Sequence, residues 1–384
     1  GAMHGTLVGC SLSNNVANVS GAVCLAGLQN CILTGNQAKQ DAGAAFMSVL
    51  DGCLLRYNTA GRHGGAAASC ILNRSLLTDN RCQEFGGAAY ASTLTNSTVT
   101  GNTGRAGGGV NACTPYNCIV YYNSDSAAGN FVNCTFYYSD TLPLPESGTN
   151  NITDEPLLDS TGHLGSASPC RGHGGPLIAG TFDLDGDSWR QPPSIGCDEY
   201  RSGSAVGPIS VRISSVATNS LPGRTLPFTA LIEGRVTDSR WDFDDGTVLS
   251  NRLHVSRAWN TPGIYALELR AFNDSFPGGI AATLLVHIVS NQPTYYVQQA
   301  STNPVTPYDS WATAATNIQD AIDAVQVIGA RILVGDGDYQ TGGRILAGGL
   351  SNRVVVPISL DLESLNGPQV TAIRGVRELG SNAV

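Results

Sequence analysis

Cys31-Ile-Leu33-Thr-Gly-Asn36 is answered 22 residues later by Cys53-Leu-Leu55-Arg-Tyr-Asn58. The same phrase stands at Cys10-Ser-Leu12-Ser-Asn-Asn15, Ser75-Leu-Leu77-Thr-Asp-Asn80, Ser97-Thr-Val99-Thr-Gly-Asn102 and Cys118-Ile-Val120-Tyr-Tyr-Asn123, in steps of 21, 22, 22, 22 and 21. A fixed period of this size means one supersecondary unit stacked on copies of itself, a solenoid. Within each unit the first and third positions are small or apolar, and the residue between is often polar. That two-residue alternation belongs to strands.

A leucine recurs three residues before the phrase (Leu7, Leu28, Leu50, Leu72, Leu94), and a Gly-Ala segment recurs once per unit, as at Gly64-Gly65-Ala and Gly86-Gly87-Ala. Each unit therefore reads as short strands separated by tight turns. Stacking places like over like about 4.8 Å apart, which gives inward ladders of Leu, of Cys or Ser, and of small residues. Asn15, Asn36, Asn58, Asn80, Asn102 and Asn123 form an expected ladder at a bend, where Asn tolerates left-handed backbone and its amide bonds the amide of the next coil.

These repeats resemble a right-handed parallel β-helix of the pectate-lyase-like superfamily, in its secreted bacterial branch with short coils. The resemblance continues through Asn151-Ile-Thr-Asp-Glu-Pro-Leu157, Gly165-Ser-Ala-Ser-Pro-Cys170, Asp183-Leu-Asp185-Gly186 and Ile195-Gly-Cys-Asp-Glu-Tyr200. It implies that residues 4–200 are the C-terminal coils and terminal cap of a β-helix. Trp241-Asp-Phe-Asp-Asp-Gly-Thr247 and Trp259-Asn-Thr-Pro-Gly-Ile-Tyr265 resemble a PKD domain, an Ig-like β-sandwich, over 205–290. Asp244 stands where that family usually carries glycine. Residues 294–384 resemble the N-terminal cap and first coils of a β-helix, with an amphipathic capping helix near 317–326 whose Ile318, Ala321, Ile322 and Val325 share one face. Asn317 is its expected N-cap. The class is all-β, with the parts in the order end, sandwich, beginning.

The chain has 384 residues, enough for two or three domains. Charged residues are 13%, Lys39 is the only lysine, and the formal net charge is −9, which argues against nucleic acid. The longest apolar run, Ile280 to Val289, is too short to span a bilayer. Gly1-Ala2-Met3 reads as a remnant of expression and says nothing about export. Of the eleven cysteines, Cys10, Cys31, Cys53, Cys118 and Cys134 are read as small core residues in the recurring phrase. Within the resemblance, Cys170 and Cys197 fall at landmarks often paired, implying a disulfide worth about 3–4 kcal/mol and an oxidising, extracellular or cell-surface location.

Residues for chemistry are sparse. Asp41, Asp51, Asp79 and Glu84 are scattered, and no two share a rung in adjacent coils. No catalytic residue is assigned, and the balance leans away from an enzyme. Arg62 and Arg105 lie in equivalent loops near Lys39 and Glu84, either a solvated edge or a groove for acidic polysaccharide. Tyr121 and Tyr137 should face outward on adjacent coils, as a sugar platform or as a seat for the cap. Asp183, Asp185 and Asp187 resemble a calcium loop, yet a twelve-residue hand would need glycine two places later and glutamate at Ser194. They read as a structural turn, with calcium the only cofactor in view. His63, His163 and His173 receive no role.

The expected function is structural or adhesive, with the C-terminal segment of one molecule docking under the N-terminal coils of the next to build fibres. The rivals are a chain that completes its own helix, a fragment of a tandem array, and a β-helix that binds or degrades polysaccharide.

Overall fold

The computed structural model describes residues 2–125, 129–159, 161–176, 182–201, 205–345 and 351–375. The repeats form a parallel β-solenoid of about six coils. On one face Leu7 pairs with Leu28, Leu28 with Leu50, Leu50 with Leu72, and Leu72 with Leu94. On the second, Leu12, Leu33, Leu55, Leu77, Val99 and Val120 follow one another in register. Ala17, Ala38, Ala60 and Cys82 line a third, and Ala45, Ala67, Ala89 and Val110 close the coil. The leucines from Leu28 to Leu94 are essentially fully buried, each contributing roughly 2–3 kcal/mol.

Glycine in the Gly-Ala segment is dictated by backbone approach. A Cβ on Gly65 would lie 2.0 Å from the carbonyl oxygen of Gly87. No side chain fits between coils there.

The asparagine ladder is present with one change. Asn36, Asn58, Asn80 and Asn102 are buried, and each donates its backbone N–H to Oδ1 of the next ladder member. The left-handed backbone falls one residue earlier, at Asn14, Gly35, Tyr57, Asp79, Gly101 and Tyr122. That residue makes the bend and turns the asparagine inward. Asn123 continues the ladder onto Asn130, only seven residues away and one coil on from Gly109.

The cysteines also divide differently from the sequence reading. Cys53 donates to Ser75 and Ser75 to Ser97, and further along the same line Cys118 donates to Ser139. Cys134 belongs to a second ladder, Ser48, Cys70, Ser92, Cys113, Cys134, on the far side of the leucine strand. Both ladders are packing. Burial pushes the Cys53 and Cys118 thiols up to about 12.

Residues 208–288 fold as an antiparallel sandwich. Ser210–Ser215, Leu226–Glu233 and His254–Arg257 make one sheet. The other contains Val248–Ser250, Asp238–Asp242, Gly263–Asn273 and Phe276–Ile288. Trp241, Phe243, Trp259, Leu267 and Leu269 fill the space between, and Trp241 Nε1 donates to the Arg252 carbonyl at 2.8 Å. Asp244 has φ +56°, the left-handed geometry that explains glycine as the usual occupant. Its carboxylate accepts from Ala266 N at 2.9 Å.

Beyond the sandwich, Thr294–Val297, Arg331–Val334 and Asp361–Ser364 form a parallel sheet. Helix α1 (Ile318–Ala324) packs Ile318, Ala321 and Ile322 against it, and the Asn317 side chain accepts from Asp320 N. Val327–Ile328 pairs with Asn219–Ser220 of the sandwich. Among the described residues, no strand of this segment pairs with the N-terminal coils. Residues 376–384, the end of the segment expected to dock under those coils, lie outside the described residues.

Candidate functional site

Polar side chains converge at two places. The first is on the solenoid flank, where coil spacing stacks loop residues. Arg62, Glu84 and Arg105 occupy one rung, linked by Glu84 N to Arg62 O and Arg105 N to Glu84 O. One residue on, His63 bridges in parallel to Phe85. The His63 ring stacks with the Phe85 and Tyr90 rings, at centroid distances of 5.2 and 4.7 Å. Its Nδ1 is 2.9 Å from Asp41 Oδ1, and its Nε2 is 3.1 Å from Glu84 Oε2. The imidazole is thus held edge-on by two carboxylates and face-on by two aromatics. Both ring nitrogens are engaged, so the ring is fixed in place by its neighbours.

Asp41 stands one 22-residue coil before His63, and Glu84, the residue before the coil partner Phe85, reaches across to it. A search for polar residues at that spacing finds the constellation, whereas a search for two acids on one rung does not. Arg62 and Arg105 are exposed on either side of Glu84. The two arginines are thereby brought together with His63.

The second convergence is where the terminal cap meets the sandwich. Asp183 Oδ1 accepts from the backbone N–H groups of Asp185 and Asp187, and its Oδ2 accepts from Glu199 N. Asp185 instead reaches His163 Nε2 at 2.6 Å, while Asp187 pairs with Arg235 of the sandwich at 2.8 Å. The three carboxylates turn to backbone amides, to His163 and to Arg235, with Arg235 also 3.8 Å from Asp185, which is a turn held by its own neighbours. Burial would lower the His163 imidazole, but the charge of Asp159 and hydrogen bonds to Asp159 and Asp185 overcome it and hold it well above its ordinary range. Burial pushes the Asp198 carboxyl up to about 7.

The remaining expectations need correction. Tyr121 and Tyr137 are not stacked: Tyr121 lies in the second sheet, and Tyr137 pairs with Tyr116 in the first. Tyr121 is only 8% exposed, because the cap residues Leu158, Leu164 and Ile195 cover it. Tyr137 stays exposed alone. Cys170 and Cys197, expected as a bridge, are free buried thiols. The Cys170 thiol donates to Asp140 Oδ2 at 3.0 Å, so it is turned to the last coil. His173 is exposed, its Nδ1 3.1 Å from the Arg171 carbonyl and its backbone N–H on the Cys170 carbonyl.

Residues 213–288 match the PKD domain family. The solution structure of the PKD domain from the human VPS10 domain-containing receptor SorCS2 shares 20% identity, covering 30% of this chain and 94% of that one, with a TM-score of 0.19. No curated protein matches the chain. The family match and the Trp241–Trp259 core together make this stretch a PKD domain. Among the described residues, no helix is long and apolar enough to cross a membrane.

Proposed function

We propose that this chain is a structural and adhesive part of an extracellular bacterial protein, its solenoid drawn from the pectate-lyase-like superfamily. The observation that carries this reading is that the PKD sandwich is held at both ends. On the solenoid side Arg252 pairs with Glu155, Arg235 with Asp187, and Ser166 Oγ donates to Asp238 at 2.8 Å. On the other side the sandwich sheet continues into Val327–Ile328. A module fixed in this way transmits load and sets spacing, whereas freely tethered domains do not.

Self-association completes the proposal. Among the described residues, Ser11–Ser13 and Val16–Ala17 are terminal strands of their sheets, Ala2–Val8 pairs on one side only, and Asp361–Ser364 is likewise terminal. Parallel edges of this kind can accept one another between copies, head to tail. Light scattering across a concentration series tests it. Assembly that grows with concentration and is lost on deleting residues 331–384 is the expected result, and a constant mass of 39.9 kDa would overturn the self-association.

A second reading rests on the flank. Two exposed arginines beside a ring-stacked histidine suit an acidic polysaccharide laid along the coils. Affinity electrophoresis in polyuronate gels should show retardation that Arg62→Ala with Arg105→Ala removes. Equal mobility with and without polymer would count against it.

A further inference from the structure

The corner residues of four successive coils shape a cleft between the solenoid and the sandwich. The left-handed corner positions carry Tyr57, Asp79, Gly101 and Tyr122, spaced about 4.8 Å per coil. Tyr122 reaches the sandwich. Its ring meets the His254 ring edge-on at 5.5 Å, and its hydroxyl donates to Glu155, which pairs with Arg252. At the neighbouring corner Gly101 has no side chain to fill the gap. A cleft of about 200 Å³ opens there, lined by Tyr57, Asp79 and Gly101 of the coils and by Thr229, Leu231 and Glu233 of strand Leu226–Glu233.

The lining sets an aromatic ring beside hydrogen-bonding groups of both kinds. The Tyr57 side chain is exposed, and the Arg56 guanidinium lies 5.8 Å from the centre of its ring, a contact that steadies it. Asp79 Oδ2 accepts from Thr78 Oγ1 at 2.9 Å. Its Oδ1 leans over Gly101, 2.9 Å from where a Cβ would stand, and among the described residues accepts no hydrogen bond. Across the cleft, Thr229 Oγ1 is 3.0 Å from His254 Nδ1, and Arg212 pairs with Glu233 at 3.2 Å. Arg56 and Arg212 balance Asp79 and Glu233 in charge. Desolvation lowers the His254 imidazole, so it is uncharged near neutral pH.

Such a balanced lining gives an ionic ligand little net attraction. A sugar matches it, because its C–H face stacks on an aromatic ring while its hydroxyls donate to carboxylates and accept from guanidinium and hydroxyl groups. The cleft is smaller than the roughly 300–1,000 Å³ that hold drug-sized ligands, which limits the occupant to the scale of a monosaccharide. We propose that it binds one neutral sugar residue of a glycan, with the ring face on Tyr57 and hydroxyls on Asp79, Thr229 and Glu233. The site lies at the corner of the coils, apart from the loop beside His63, and does not rest on polyuronate binding there.

Saturation-transfer NMR on the full chain tests it, with glucose, galactose, mannose and N-acetylglucosamine as neutral probes and galacturonate as the charged one, each at millimolar concentration. At least one neutral sugar should receive saturation on its ring protons, and more than galacturonate does. Tyr57→Ala should weaken that binding about 10-fold, and Tyr57→Phe should keep it. Asp79→Ala should weaken it too, and decides the matter if Tyr57→Ala does not fold. Arg62→Ala with Arg105→Ala should leave the neutral sugar bound as in wild type, whatever those changes do to polyuronate. Binding by no neutral sugar in the set, wild-type affinity in Tyr57→Ala, or loss of the neutral sugar in the double arginine variant would each overturn the site.

Discussion

Asn58 donates its backbone N–H and a side-chain N–H to the same atom, Oδ1 of Asn80, at 3.0 and 2.9 Å. Its second side-chain hydrogen goes to the Leu33 carbonyl at 2.9 Å, and its own Oδ1 accepts two bonds from Asn36. Every polar atom of the amide is thus used inside a core where water could not replace it. Replacing Asn58 by alanine strands donors on Asn36 and an acceptor on Leu33. The expected loss is about 2–4 kcal/mol by urea denaturation. Asn58→Asp should be no better, since it keeps the acceptors and loses both amide hydrogens. A loss below about 0.5 kcal/mol for either variant would show that the ladder is incidental.

Gly65→Ala should be among the most damaging single changes in the chain. The added Cβ would sit 2.0 Å from a backbone oxygen of the next coil, and backbone on both sides is held in register. Coil separation is the only relief, so a loss above about 3 kcal/mol or failure to accumulate folded protein is expected. Gly278→Ala is the control, because a Cβ there meets nothing within 4 Å. It should change the melting midpoint little.

Repeat, alternation and end motifs made the solenoid, the sandwich and α1 legible, because each follows from local periodicity or a run of turn residues. The sites were less so. His63 acquires Asp41 and Glu84 through stacking of coils, which the spacing encodes but a search for paired acids overlooks. His163 meets Asp185 and Asp198 through the irregular cap, where no period maps sequence onto space. Tyr121 shows the converse error: alternation correctly placed it on the outer side of its strand, yet the cap returns to cover that side. Cys134 was misassigned because two small-residue ladders share one period and differ only in phase.

Cys170 and Cys197 should both be recovered as free thiols. In native protein they should resist alkylation, since both are buried and burial pushes both thiols well above their ordinary range. In denaturant both should react fully. Peptide mapping without reductant checks this, and a joined Cys170–Cys197 peptide would restore the bridge that the end motifs imply.

Asp140 should make stability fall as pH rises through the weakly acidic range. Its carboxyl is fully buried, and among the described residues Oδ1 accepts no hydrogen bond and only the Cys170 thiol serves Oδ2. Burial pushes its pKa up to about 7, against an unfolded value of about 3.9. Between those values the folded chain holds a proton that the unfolded chain has released, so raising the pH favours unfolding. The penalty is absent below about pH 4 and complete above about pH 7, at on the order of 4 kcal/mol. Asp140→Asn is nearly isosteric with the protonated acid and cannot ionise. The variant should therefore match wild type near pH 4 and exceed it in denaturant midpoint near pH 8, with the difference growing between. An offset between the two proteins that stays constant across that range would mean that Asp140 is not the titrating group.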